Sequence, residues 1–236
     1  MRTFHHIELI QKILETPFEI IGQRDYHLYK SYSFPFNWFT KLEYPNNVKE
    51  SIENMPSIEE YVTTQIGEDN LRTVLFDYYM GWQAEDQRHL FELCLNKIKE
   101  YESAFPIQSC DYNFVLKDSS LNLDIRSTLK HMILRPSMYG FYNFGCLRAY
   151  IDGYYNFKET YNLELSEYEV KLNNLIKFWK GKINPNNSFD TWDRPFRIEK
   201  MGTTDFTNTT NWEFERFEEI LSEELKMKLI NPTIVT

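Results

Sequence analysis

The sequence predicts a mainly α, two-layer helical domain with room for one small β-hairpin near residues 18–36. Three observations lead there. Apolar residues recur at helical spacing through most of the 236-residue chain, as expected of helices with one buried face. Two segments open with capping-box residues, Ser57 with Glu60 and Thr210 with Glu213. Only one stretch alternates in the period of a strand, with Tyr26, Leu28, Tyr32, Phe34 and Phe36 separated by smaller or polar residues.

Taken in order, Ile7, Ile10, Ile13 and Leu14 share a face, so residues 4–15 read as a helix ended by Pro17. The alternating stretch follows, and Pro35 would place its strand at a sheet edge or end it. A helix then runs from Ser57 to Gly67 and a short one from 69 to Gly81. A longer one carries the stripe Leu90, Cys94, Ile98 and Tyr101, joined by Phe91 and Leu95, and stops at Pro106. Residues 106–120 read as a loop or brief strand. Beyond them, Leu121, Ile125, Leu129 and Met132 mark a helix that ends before Pro136. Leu147, Tyr150, Ile151, Tyr154 and Phe157 mark the next, which restarts at Cys146 after turn freedom at Gly140 and Gly145. Leu165, Tyr168, Leu172, Leu175, Ile176 and Trp179 mark another, ending at Gly181. A polar, irregular stretch precedes the closing helix, whose stripe is Phe214, Phe217, Leu221 and Leu225.

Hydrophobic residues make up 42% of the chain and aromatics 17%, enough for a core built of large rings. Net charge is −9. Residues 1–108 carry −7 of it and residues 109–236 only −2. The expected division is therefore an acidic N-terminal helical region, 1–108, and a C-terminal helical region, 109–236, or one continuous domain. An acidic surface repels phosphates and anionic lipid, so nucleic acid and membrane are disfavoured partners and a basic protein is permitted. Acidity also maintains solubility by itself. The cysteines, Cys94, Cys110 and Cys146, are odd in number and widely spaced, which fits a reducing compartment. Glu8, Lys12 and Glu15 interrupt the N-terminal apolar stretch, so no signal peptide is expected. No run approaches the roughly 18 apolar residues of a membrane span. The expected location is the cytoplasm.

No residue pattern specifies catalysis, a cofactor or a metal. His89 and Cys94 lie on one helix, but five residues at about 100° each point them some 140° apart. Phosphate-cradling and nucleophile-elbow glycine motifs are missing. Glu85 and Asp86, with Arg88 and His89, cluster at a helix start. They read either as acids favoured by the helix dipole or as part of an acidic recognition patch for a partner.

The segment from Arg135 to Tyr154 combines an Arg-Pro step with Met138, Tyr139 and the glycines. Gly153 inside a helix costs about 1 kcal/mol relative to Ala, which points to a close approach by another element. The step resembles the Arg-Pro-Gly-Met-Tyr-x-Gly signature of GHKL-type ATPase domains. Here Ser137 replaces the glycine, and the Asn-bearing helix and glycine-rich lid are missing. Arg135 to Gly145 is therefore expected to be a helix–helix connection with Met138 and Tyr139 packed inward, not a nucleotide loop.

From about Leu121 to Leu225 the chain also resembles small bacterial proteins encoded beside polymorphic or contact-dependent toxins, some regarded as immunity proteins. The resemblance rests on Arg135, Pro136, Met138 and Tyr139, then Leu147, Tyr150, Ile151, Gly153 and Tyr154. It continues through Phe178-Trp179, Ser188 with Trp192, and the closing Trp212, Phe214 and Phe217. It implies stoichiometric binding to a toxin domain and brings no catalytic residues. A non-enzymatic regulatory or adaptor protein is the alternative reading, and an enzyme a third.

Overall fold

The structure is a computed structural model. It describes residues 13, 15–43, 56, 58–66, 80, 84–105, 113–117, 124–135, 143–182, 191–202 and 211–225. The fold is mainly α. The helices are α1 (Pro17–Ile20), α2 (Tyr26–Phe39), α3 (Ile58–Ile66), α4 (Gln87–Ala104), α5 (Ile125–Leu134), α6 (Phe144–Thr160), α7 (Glu167–Lys180), α8 (Asp193–Phe196) and α9 (Asn211–Leu225). A π-helical turn, Arg197–Met201, continues α8. Two short strands, β1 (Thr40–Glu43) and β2 (Asn113–Leu116), complete the described elements.

The expected hairpin at 18–36 is not there: α1 and α2 occupy that stretch. Leu28, Tyr32 and Phe36 are spaced by four, a step that satisfies both a strand's period and a helix's. Tyr29 and Phe39 break the alternation and are buried with them, so the apolar face is helical. Ser31 and Ser33 turn their hydroxyls back onto the His27 and Lys30 carbonyls, at 2.8 and 3.2 Å. Pro35 sits in the last turns of α2, where it removes one backbone donor.

Contacts divide the chain into two compact units. The first holds Met1–Thr16, Arg24–Tyr26 and Asn37–Leu121; the second holds Pro17–Gln23, His27–Phe36 and Asn122–Thr236. The main division thus falls after Leu121, not after residue 108. Antiparallel pairing of β1 with β2, from Thr40 opposite Leu116 to Glu43 opposite Asn113, draws residues 113–116 into the first unit. Pairing across some 70 positions leaves no local trace in sequence.

In the first unit, α4 buries the expected stripe of Leu90, Phe91, Cys94, Leu95, Ile98 and Tyr101. Tyr61 of α3 meets Tyr101 and Phe105 edge-on, and the Tyr101 hydroxyl donates to the Pro56 carbonyl at 2.6 Å. The expected helices at 4–15 and 69–81 and the capping residues Ser57 and Thr210 fall largely outside the described residues.

In the second unit, α6 is the central helix. Phe144, Leu147, Tyr150, Ile151, Tyr154 and Phe157 are fully buried on it. It starts at Phe144, earlier than expected, because the Asn143 side chain caps the Cys146 amide at 3.0 Å, so Gly145 is helical rather than a turn residue. Phe217 of α9 stacks edge-on against Phe144 and Phe196, and Trp179 of α7 against Phe196. Part of α2 packs on α6 through Phe34–Tyr150 and Phe36–Phe157. At Gly153 the α2 backbone comes directly against α6. A Cβ there would lie 2.0 Å from the Tyr32 carbonyl oxygen, so the expected close approach is present and only glycine fits.

Candidate functional site

The polar face of α6 carries Arg148, Asp152, Tyr155 and Glu159, spaced i, i+4, i+7 and i+11. That stripe lies opposite the apolar one and lines a cleft of about 870 Å³ in the second unit. On α7, Asn173, Ile176, Lys177 and Lys180 face the same cleft with matching spacing. Gly22 and Trp192 close it from elsewhere in the chain.

Arg148, Asp152 and Lys180 form a paired cluster inside the cleft. Arg148, only 3% exposed, donates to the Ile21 carbonyl and reaches Asp152 Oδ2 at 3.4 Å. Its Nε lies 3.6 Å from Asp193 Oδ1 and makes no hydrogen bond. Asp193 in turn accepts from Thr191 Oγ1 at 2.6 Å. Asp152 accepts from Arg148 and from Trp192 Nε1 at 3.3 Å, and forms an ion pair with Lys180 Nζ at 3.2 Å. Gly22 permits this arrangement. Its φ is +84°, and a Cβ would lie 2.7 Å from Thr191 Cγ2 and 3.1 Å from Arg148 Nη2.

A second network sits around Glu169, which is fully buried. Its carboxylate closes a capping box with Ser166 at the start of α7 and accepts the Ile125 amide at 3.0 Å. It also accepts from the Tyr154 hydroxyl and lies 3.4 Å from Lys158 Nζ. Lys158 donates to the Glu164 carbonyl as well. A buried charge is tolerated when it is paired and its lone pairs are engaged, and both conditions hold here. Burial, then the nearby Glu169 carboxylate, pushes the Tyr154 and Tyr155 phenols well above their ordinary value. Burial raises Tyr32 and Tyr168 likewise and lifts Tyr161 to about 12. These phenols are neutral at neutral pH, and those of Tyr32, Tyr154 and Tyr155 are hydrogen-bonded, to Asn156, Glu169 and the Glu169 carbonyl. Among the described residues no group of three His, Cys, Asp or Glu side chains is placed to hold a metal, and no helix is long and apolar enough to cross a membrane.

The residues singled out in the sequence separate. Asp86 is the N-cap of α4, its carboxylate accepting the His89 amide at 2.7 Å. Glu85 is exposed beside it, and its amide donates to His89 Nδ1. Nearby Glu92 reaches both Arg24 and Arg88, so the surroundings are mixed in sign. Arg135 is the exposed C-cap residue of α5. Pro136, Met138 and Tyr139 lie outside the described residues. Gly153 and Tyr154 are buried in the core of the second unit. Adjacent Phe178 and Trp179 diverge: Trp179 is buried, whereas Phe178 is 56% exposed. Lys182 Nζ lies 4.7 Å from the Phe178 ring and pairs with both Glu199 oxygens at 2.8 Å. Arg148, Asp152, Lys177 and Lys180 escaped the sequence reading. Their signal, a polar stripe at helical spacing, was available on α6, but the partners Asp193 and Ile21 come from distant positions. Comparison with protein-family models, curated proteins and solved structures returned no match.

Proposed function

We propose that the protein is a cytosolic bacterial immunity-type protein that neutralises a basic toxin domain by one-to-one binding, without turnover. The observation that carries this reading is Phe178, a large ring left 56% exposed on a helix that buries its neighbour. Glu199 steadies the lysine beside it, and Ile198, next in chain to Glu199, is 47% exposed. An exposed aromatic among charged groups is the chemistry of an interface hot spot. The net charge of −9 favours a basic partner and would speed its capture. Mutual engagement of Arg148, Asp152, Lys180 and Trp192 supports recognition over proton transfer, since Asp152 is already engaged by two hydrogen-bond donors and a lysine.

The test is co-expression with the product of the adjacent gene, co-purification, and the mass of the complex by light scattering. A one-to-one complex is expected. Phe178→Ala should weaken it about tenfold or more, equivalent to at least about 1.4 kcal/mol. Glu85→Lys should slow association at low salt; Asp86 is unsuitable for that purpose because it caps α4. Inactivation of excess partner by substoichiometric protein would overturn the reading in favour of an enzyme.

A further inference from the structure

We infer that the cleft between α6 and α7 is a binding site for a small organic anion, a carboxylate or phosphate carried on an apolar or aromatic body. The lining holds Arg148, Lys158, Lys177 and Lys180 against Asp152 and Glu159, a cationic excess within a chain of net charge −9. Arg148 and Lys158 are engaged by Asp152, Asp193 and Glu169, so the field that meets an incoming anion comes from Lys177 and Lys180 on α7, opposite in sign to the whole protein.

Their commitments set the mode of binding. Lys158 is turned to Glu169 and the Glu164 carbonyl, so it belongs to the buried network. Arg148 forms the floor, its Nε without a hydrogen bond and its guanidinium shared between Asp152 and Asp193. Lys180, 53% exposed, reaches in to Asp152. Lys177 lines the cleft one helical turn away and has no carboxylate partner among the described residues. The last-turn position of Lys177 and Lys180 complements the α7 dipole, which explains lysines there. It does not explain a buried arginine facing them from α6. Asp152 is thus a resident carboxylate that already occupies the cation cluster, and a ligand's anionic group would take the Lys177–Lys180 side. Ile176, Leu163, Leu165 and the Tyr155 ring supply the apolar wall. The volume, about 870 Å³, lies in the range of small-molecule sites.

This inference is separate from partner binding through Phe178, and its failure would leave that reading untouched. The test uses the full chain, with calorimetry and thermal unfolding against four probes: benzoate, acetate, phenyl phosphate and inorganic phosphate. Benzoate and phenyl phosphate discriminate the two head groups, and acetate and phosphate remove the ring. At least one aromatic probe should bind once per chain with Kd below about 1 mM at low salt. Lys177→Glu should weaken it about fivefold or more, because it removes the cation that has no carboxylate partner among the described residues, with only a small drop in the unliganded unfolding midpoint from the lost dipole interaction. Lys99→Glu, the same charge change at an exposed position of α4, should leave it unaltered. Asp152→Asn should tighten it, by freeing Arg148 and Lys180 from their resident carboxylate. Three results would overturn the inference. The first is no binding of any probe up to about 10 mM, beyond the millimolar affinities of weak sites. The second is equal weakening by Lys99→Glu. The third is acetate or phosphate binding as tightly as its aromatic counterpart, which would leave an adventitious ion only.

Discussion

Gly153→Ala adds one methyl group where α6 meets the backbone of α2. Intrinsic helix propensity would favour the change by about 1 kcal/mol. The tertiary structure opposes it. The new Cβ would sit 2.0 Å from the Tyr32 carbonyl oxygen, 2.8 Å from its carbon and 2.9 Å from its Cα. All three are backbone atoms, so no rotamer change relieves the contact. Either α2 or α6 must move by about an ångström, and α6 is buried along most of its length. Overpacking of this kind costs about 1–3 kcal/mol, and a rigid neighbour places it at the upper end. Subtracting the propensity gain leaves a net loss of about 2 kcal/mol. For a chain of this size that lowers Tm by about 4–8 °C. Thermal unfolding followed by far-ultraviolet circular dichroism, wild type beside variant, measures it. A Tm that rises by about 2–4 °C, as propensity alone requires, would refute the crossing.

Two further outcomes follow from single contacts. Asp86→Ala should destabilise the protein by about 1 kcal/mol in urea titration through loss of the α4 cap, whereas Asp86→Ser should restore most of it; equal losses would exclude a capping role. Stability should fall above about pH 10, because tyrosines ionise in the unfolded chain while Tyr32, Tyr154, Tyr155, Tyr161 and Tyr168 are held neutral by burial. Raised folded values mean that the unfolded state releases protons first, so the stabilisation is full below that pH and is lost through the folded values. Chemical unfolding at increasing alkaline pH reads this directly, and a flat profile through Tyr161's value of about 12 would contradict it.

The sequence by itself determined the helices with strong local periodicity. The stripes on α4, α6, α7 and α9 were legible because a helix repeats every few residues, so its buried face is written within one segment. Gly153 was legible for the same reason: a costly glycine inside an otherwise apolar helical stripe needs a cause. Tertiary structure alone decided what depends on distant partners. Residues 26–36 satisfy two periods at once, and packing of Leu28, Tyr29, Tyr32 and Phe36 selected the helix. β1 and β2 are four residues each, too short to show a period, and pair across most of the first unit. The cleft is the clearest case. Arg148 and Asp152 are neighbours on one turn, but Ile21, Asp193, Trp192 and Lys180 reach them only after folding. Local patterns record which face of a helix is buried; they do not record which remote charge is buried against it.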